Sequence, residues 1–581
     1  MNDQKNMFLA IALSIAILFG FQFLFPPAEE PAQQDAQSTQ KEVATPQAVG
    51  EQSSGDSFAP QIPGGVDQVA KIQQQSRAQK LDASARIEID SPRLDGTISI
   101  QGGRIDDLTL TSYREELDKN SPNITLLNPK GLKSAYYAEF GWSAPNVKTP
   151  TADTVWATDS QTLSAGEAVN LTWDNGEGLL FKRTISLDEN YAFTINDSVT
   201  NTAGASVDLY PYGLISRSGT PTTSGFYILH EGLLGVFDGV LEEVDYSDLQ
   251  ESGSKKIDKV QGGWIGITDK YWLTALIPDQ SKDATHRFSH YRSDDVDKYQ
   301  ADYLGPKLTA NTGETVSFES NLFAGAKELK MLTAYEEKLD VKEFDLAIDF
   351  GWFFFITKPF FLAISWLYSH LGNFGLAILA LTIGIKAAFY PLANTSYRSM
   401  AKMKTLSPKI KELQKQFGDD KQRLNQEMMA LYKREKANPA SGCLPILIQI
   451  PVFFSLYKVL FVSIEMRHAP FYGWIQDLSA PDPTSLFNLF GLIPWDPPQL
   501  LMIGIWPLLM GISMFLQQKL NPQPADPMQA KMMMFLPVIF TFMLANFPAG
   551  LVIYWVWNNV LSIAQQWMIT KRMEKQKAQK A

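Results

Sequence analysis

Cysteine is nearly absent: Cys443 stands alone in 581 residues, which rules out an intramolecular disulfide and any cysteine-built metal cluster. No Gly-Lys dipeptide occurs, so the phosphate-cradling loop ending in Gly-Lys-Ser/Thr is missing and no nucleotide cofactor is expected. Histidine is scarce. His230, His286 and His290 share one region without metal-ligand or triad spacing, and read as structural or surface residues. Between residues 26 and 350 there is no long apolar run, which excludes membrane spans from more than half of the sequence.

Charge is divided as sharply as hydropathy. The formal net charge is -11, from 51 basic and 62 acidic residues. Residues 26–350 hold 28 basic and 50 acidic side chains, leaving 23 against 12 elsewhere. An acidic soluble unit is therefore joined to a basic, apolar-rich membrane unit, and the averaged pI describes neither.

Residues 7–25 are apolar apart from Ser14 and Gln22 and follow a short head carrying Lys5. Phe23, Leu24, Phe25, Pro26 and Pro27 close the run in place of a small-x-small cleavage site, so residues 1–25 read as an uncleaved signal anchor. Residues 26–80 are rich in Gln, Ala, Ser, Pro and Glu and read as a disordered linker, because such a segment buries too little surface to offset its ordering entropy. Over 81–340 short alternating runs such as 85–89, 97–100, 180–185 and 191–195 are separated by turn signals such as Asp174-Asn175-Gly176. Period-2 patterning on this scale predicts a large all-β sandwich.

The pattern changes again in 341–372, where Phe344, Ala347, Ile348 and Phe355 recur near helical spacing beside Trp352, Phe353 and Phe354. This predicts an amphipathic helix in the membrane interface. Five apolar spans follow in 373–570, at 373–392, 443–462, 499–516, 533–547 and 549–568. With the anchor they make a polytopic α-helical membrane protein of six transmembrane helices. Some spans are short for a bilayer core about 30 Å thick, which implies local thinning.

Orientation follows from the basic residues. The 393–441 loop carries eleven and is placed in the cytoplasm, as are the 517–532 loop with Lys519 and Lys531 and the basic tail 571–581. The 463–498 loop has only Arg467 against Glu465, Asp477, Asp482 and Asp496, so it belongs outside. Both termini are then cytoplasmic and the sandwich lies in the periplasm of a two-membrane envelope. Within 394–440, Ser407 followed by Pro408 can start a helix striped by Ile410, Leu413 and Phe417. Leu424, Met428 and Leu431 stripe a second, so the loop reads as a basic helical hairpin turning at Gly418-Asp419-Asp420.

Lys386 is the least expected residue, about six positions inside the cytoplasmic end of its span, or roughly 9 Å deep. Its stem could snorkel to the headgroups, or it could face a wet cavity. Gln449 in another span and Asn558, Asn559, Gln565 and Gln566 in the last favour the cavity, because lipid cannot satisfy such groups.

Residues 397–436 read YRSMAKMKTLSPKIKELQKQFGDDKQRLNQEMMALYKREK, and the next span opens NPASGCLPILIQIPVFFSLY. Together with LSAPDP at 478–483, DPMQAK at 526–531 and FPAGLVIYW at 547–555, these stretches resemble the YidC family of bacterial membrane protein insertases. The resemblance covers most of 351–570. It implies a chaperone-like insertase, not an enzyme, of the inner membrane, with a hydrophilic groove open to cytoplasm and lipid and a positive residue at its centre. Lys386 occupies that position, where the family usually carries arginine, a guanidinium that effectively never loses its proton. By the same carry-over Thr382, Gln449, Tyr554 and Trp555 would contact a passing substrate, although interfacial anchoring or packing competes for the two aromatics. Nascent inner-membrane proteins, the Sec translocon, the ribosome and membrane lipids are the partners implied. A membrane solute transporter, or an anchored periplasmic sugar-binding enzyme built on a mutarotase-like sandwich, are the rival readings.

Overall fold

The computed structural model describes residues 76–578 apart from 224–228, 294, 418–419, 436–443, 490–492, 494, 496–497, 499–501 and 522–526. The anchor 1–25, most of the linker, Cys443, the Gly418-Asp419 turn and the end of the tail therefore lie outside the described residues. The linker ends earlier than its composition suggests. Helix α1 (Arg77–Asp82) begins within it, because Ser76 and Gln79 form a reciprocal capping box and Arg77 pairs with Asp107 on the sandwich.

Two sheets make the β domain, one of eleven strands and one of nine. The larger runs from Ser254–Gln261 through Asp283–Ser293, Val296–Leu304, Val207–Ser218, Tyr136–Ser143, Arg104–Arg114, Leu94–Ser99 and Arg86–Asp90 to Thr162–Ser164, with two short strands off this path. The smaller runs from Val240–Val244 through Gly232–Phe237, Trp264–Thr268, Trp272–Pro278, Thr315–Ala326, Ala192–Asn201, Leu179–Leu187 and Ala168–Asp174 to Ala157–Thr158. Strand alternation does what the sequence suggests: along Leu179–Leu187 the buried positions are Leu179, Phe181, Arg183, Ile185 and Leu187. The Asp174-Asn175-Gly176 signal becomes the loop between two adjacent strands. There the Asn175 side chain accepts the amides of Glu177 and Leu179, and Gly176 takes φ +75°. Helix α2 (Tyr246–Ser252) and helix α3 (Leu329–Lys338) pack on the sandwich through Leu249, Leu332 and Tyr335.

The expected single interfacial helix over 341–372 is two structures. Phe344–Ala347 forms a short 3-10 turn whose Phe344, Ala347 and Ile348 are sealed in the sandwich core, with Phe344 edge-on to Trp264. The chain then breaks at Gly351, φ +70°, where Asp349 is engaged by Lys458, and helix α4 (Phe354–Leu371) starts afresh. Thr357, Phe361 and Ile364 form its buried face, while Phe354, Phe355, Leu362 and Trp366 are exposed.

Helix α5 (Phe374–Ala388) opens on an Asn373 cap and is followed, after a 68° bend, by helix α6 (Tyr390–Phe417). Helix α7 (Lys421–Arg434) folds back on α6, and Lys409 pairs with Glu435 at 2.9 Å. Ser407 does not start a helix here, because α6 runs unbroken through Pro408. Pro408 removes the hydrogen bond to the Lys404 carbonyl, but position 404 is exposed and water can serve it. The remaining helices are α8 (Leu444–Val462), α9 (Ile505–Leu520), α10 (Pro527–Met543) and α11 (Ala549–Ala578). Among the described residues no single helix is both long and apolar enough to cross a membrane by itself, and the bent pair α5 and α6 passes only together.

Candidate functional site: a cavity among the helices

The last helix supplies the site's polar wall. Tyr554, Asn558, Ser562 and Gln565 recur at spacings of four, four and three, which puts them on one face of α11. That face lines a cavity of about 520 Å³, whose other walls come from α5, α6, α8, α9 and α10. Lys386 reaches into it: its Nζ donates to Ser562 Oγ at 2.9 Å, and Ser562 Oγ donates in turn to the Asn558 carbonyl at 2.8 Å. No carboxylate pairs with Lys386 among the described residues. The ammonium is turned toward α11 and onto a hydroxyl.

Gln449 projects from α8 and donates from Nε2 to the Tyr554 hydroxyl at 2.5 Å. Trp555 also lines the cavity, packed edge-on against Phe453 with ring centroids 4.7 Å apart and tilted on Phe540. The structure therefore brings Lys386, Gln449, Tyr554 and Trp555 together. Thr382 is elsewhere: it is buried, its hydroxyl donates to the Ile378 carbonyl at 2.7 Å, and it does not line the cavity. One helical turn separates it from Lys386, but its side chain is spent on its own backbone.

Two polar atoms in this wall, Asn558 Oδ1 and Gln565 Nε2, are buried without a hydrogen-bond partner among the described residues. A buried amide left unmatched costs about 1–3 kcal/mol, which makes the cavity suited to water or to polar groups of a guest. Asn559 lines the cavity too, but its amide donates to Ser513 at 2.9 Å, and Gln566 donates to the Leu520 carbonyl at 3.2 Å, so that both fasten α11 to α9. Sequence reasoning missed Ser562 and Tyr397, both of which line the cavity. The signal for Ser562 was its place between Asn558 and Gln565 on one stripe. Tyr397 had none, because only the bend after α5 turns α6 back toward this wall.

The site thus combines a lysine nitrogen held by a hydroxyl, unmatched amide atoms and aromatic walls. A family model described as the YidC periplasmic domain matches residues 86–363, and one described as the 60Kd inner membrane protein matches residues 366–577. The chain belongs to the YidC family. It is 50% identical to the membrane protein insertase YidC of Beijerinckia indica, over 98% of this chain and 96% of that protein. Against the membrane protein insertase YidC of Bradyrhizobium diazoefficiens it is 49% identical, over 98% and 97%. A solved YidC insertase with its first transmembrane domain resolved aligns over 83% of this chain and 92% of that one, at 17% identity and a TM-score of 0.35. As a YidC-family member the chain is an inner-membrane protein insertase and not an enzyme, and its β-sandwich is the family's periplasmic domain.

Proposed function

We propose that the cavity around Lys386 is the groove through which substrates enter. The observation that carries this reading is an ammonium with no carboxylate partner among the described residues, directed onto the Ser562 hydroxyl beside Asn558 Oδ1 and Gln565 Nε2, which lack partners there. A substrate's short extracytoplasmic segment, often acidic, enters the groove and meets the positive charge there. At an effective dielectric near 20, opposite unit charges about 4 Å apart attract by about 4 kcal/mol, enough to favour entry without trapping the segment. The adjoining apolar segment then moves sideways into lipid, and hydrophobic partitioning draws the polar part across. Gln449, Tyr554 and Trp555 contact the substrate on the way. Thr382 acts behind them, shaping α5 rather than touching the guest.

The proposed setting is six spans with both termini in the cytoplasm: the anchor 1–25, then α5, α8, α9, α10 and α11. The hairpin of α6 and α7, within 394–440, is cytoplasmic and catches nascent inner-membrane chains. Its exposed lysines and arginines, with Lys571, Arg572 and Lys575 of the tail, fit the ribosome and anionic lipid as partners. The Sec translocon is a further partner, and insertion proceeds alone or with it. The exposed aromatics of α4, within 341–372, lie in the outer interface.

The test replaces Lys386 with alanine and, separately, with arginine, and measures insertion of a single-span reporter into vesicles carrying each purified variant. Lys386→Ala should lower insertion by about tenfold, and Lys386→Arg should stay within about twofold of the parent. Normal insertion by the alanine variant would show that the charge is not used.

A further inference from the structure

Helix α8 carries a second lysine, Lys458, that the groove does not use. The helix reads LPILIQIPVFFSLYKVLFV, apolar around its whole circumference, so burial alone gives it no preferred rotation about its axis. Ser455 is buried without a partner among the described residues, whereas two polar side chains that reach other elements break that symmetry. Gln449 and Lys458 are nine residues apart, which is two and a half turns, so they leave opposite faces of the helix roughly 13 Å apart along it. Gln449 meets Tyr554 on α11. On the far side Lys458 Nζ pairs with Asp349 at 2.6 Å, with both side chains mostly buried.

Asp349 is itself fixed. Its Oδ2 also accepts the His230 amide at 3.2 Å, its Oδ1 accepts the Gly351 amide at 2.9 Å, and Phe350 beside it is in the core. Gly351 lies so close to the lysine stem that a Cβ there would sit 2.7 Å from Lys458 Cε. A rigid anchor on the sandwich side thus grips an otherwise featureless rod.

We propose that Asp349 and Lys458 are positioning residues that set the rotation of α8 and so hold Gln449 against Tyr554. The sandwich is then a working part of the groove, acting through this ion pair beside the Lys270 ammonium, which lies 3.8 Å from the Phe461 ring centroid at the end of the same helix. This inference rests on the groove reading for its consequence, but its geometry can be tested apart from insertion.

The experiment uses the full-length chain in membranes with Cys443→Ser, Gln449→Cys and Tyr554→Cys, joined by a short bifunctional thiol reagent. Adding Lys458→Met, which keeps the bulk and removes the charge, should slow cross-linking by about tenfold, because reaction depends on orientation. Lys458→Arg, which keeps the charge, should restore it. An unchanged rate in Lys458→Met overturns the proposal, as does a Lys458→Arg chain that reacts no faster than Lys458→Met. If Lys458→Met fails to accumulate, Asp349→Asn, which keeps the shape at the other end, decides the question by the same criteria. A failure of the groove reading would appear separately, as normal insertion by Lys386→Ala whatever the cross-linking rate.

Discussion

Arg183 sits on the inward stripe of its strand, 1% exposed, where a leucine would be ordinary. It is tolerated because Asp197 on the next strand takes it in two parallel hydrogen bonds of 2.7 and 2.8 Å, while the Gly103 carbonyl and the face of Trp156 receive the rest of the guanidinium. Asp197→Ala would strand that charge, and should lower the stability of the sandwich by about 3–5 kcal/mol, read as the unfolding midpoint of the purified chain. His286 is the converse case, a buried ring lying against Phe237 with neither nitrogen hydrogen-bonded among the described residues. Burial pushes its pKa down to about 4. The unfolded chain, with an ordinary histidine near 6.5, then binds a proton that the folded chain refuses. Stability is full above pH 6.5 and is lost as pH falls toward 4, by roughly 3 kcal/mol in all. His286→Phe should flatten that acid limb of the melting profile; an unchanged slope would assign the acid loss to other groups. Residue chemistry was legible where a side chain broke its surroundings, as Lys386 and Gln449 do in apolar spans. Ser562 was not, because a serine in a membrane helix is unremarkable until its hydroxyl is seen to hold the lysine.

At the scale of elements, alternation located the strands because one face of each must be buried, whatever its partners. Periodicity failed over 341–372 for a related reason: Phe344, Ala347 and Ile348 have helical spacing but are buried by the sandwich, and the Gly351 break is invisible to a pattern that counts only apolar positions. Pro408 misled similarly, since a proline that can begin a helix can also be carried inside one. The segment 463–504 shows how a loop between helices is fastened. Asp482, buried, accepts the Trp474 indole N–H at 3.1 Å and both the amide and hydroxyl of Thr484 through Oδ1, and the Trp506 amide of α9 through Oδ2 at 2.9 Å. Gly504 leaves no room for anything larger beside that carboxylate. Asp482→Ala removes a cap worth about 1–2 kcal/mol, so amide exchange should speed up in the first turn of α9 and around Thr484 while the sandwich is unaffected.

For the whole molecule, charge was the most informative sequence property, since the acidic block coincides with the sandwich and the basic remainder with the helices. The orientation inferred from it makes a direct prediction in a Cys443→Ser chain. A membrane-impermeant maleimide added to intact spheroplasts should label Gln476→Cys and spare Lys411→Cys and Lys575→Cys, with the pattern reversing in inverted vesicles. Labelling of all three from one side would overturn the topology. The arrangement of the domains was less accessible, because Asp349 and Lys458 are distant in sequence and neither is unusual alone. The 68° bend after α5 carries a further consequence. It sets the 28 residues of α6, roughly 42 Å in length, on a root beside Lys386 where Tyr397 and Met400 pack against Ile569 of α11, and the rest of the helix runs on from there toward α7. A nascent segment held at the far end of that helix stays within its length of the groove, a local concentration in the millimolar range. Capture can then be weak and quickly reversed, and still deliver the chain to its point of entry many times before it diffuses away.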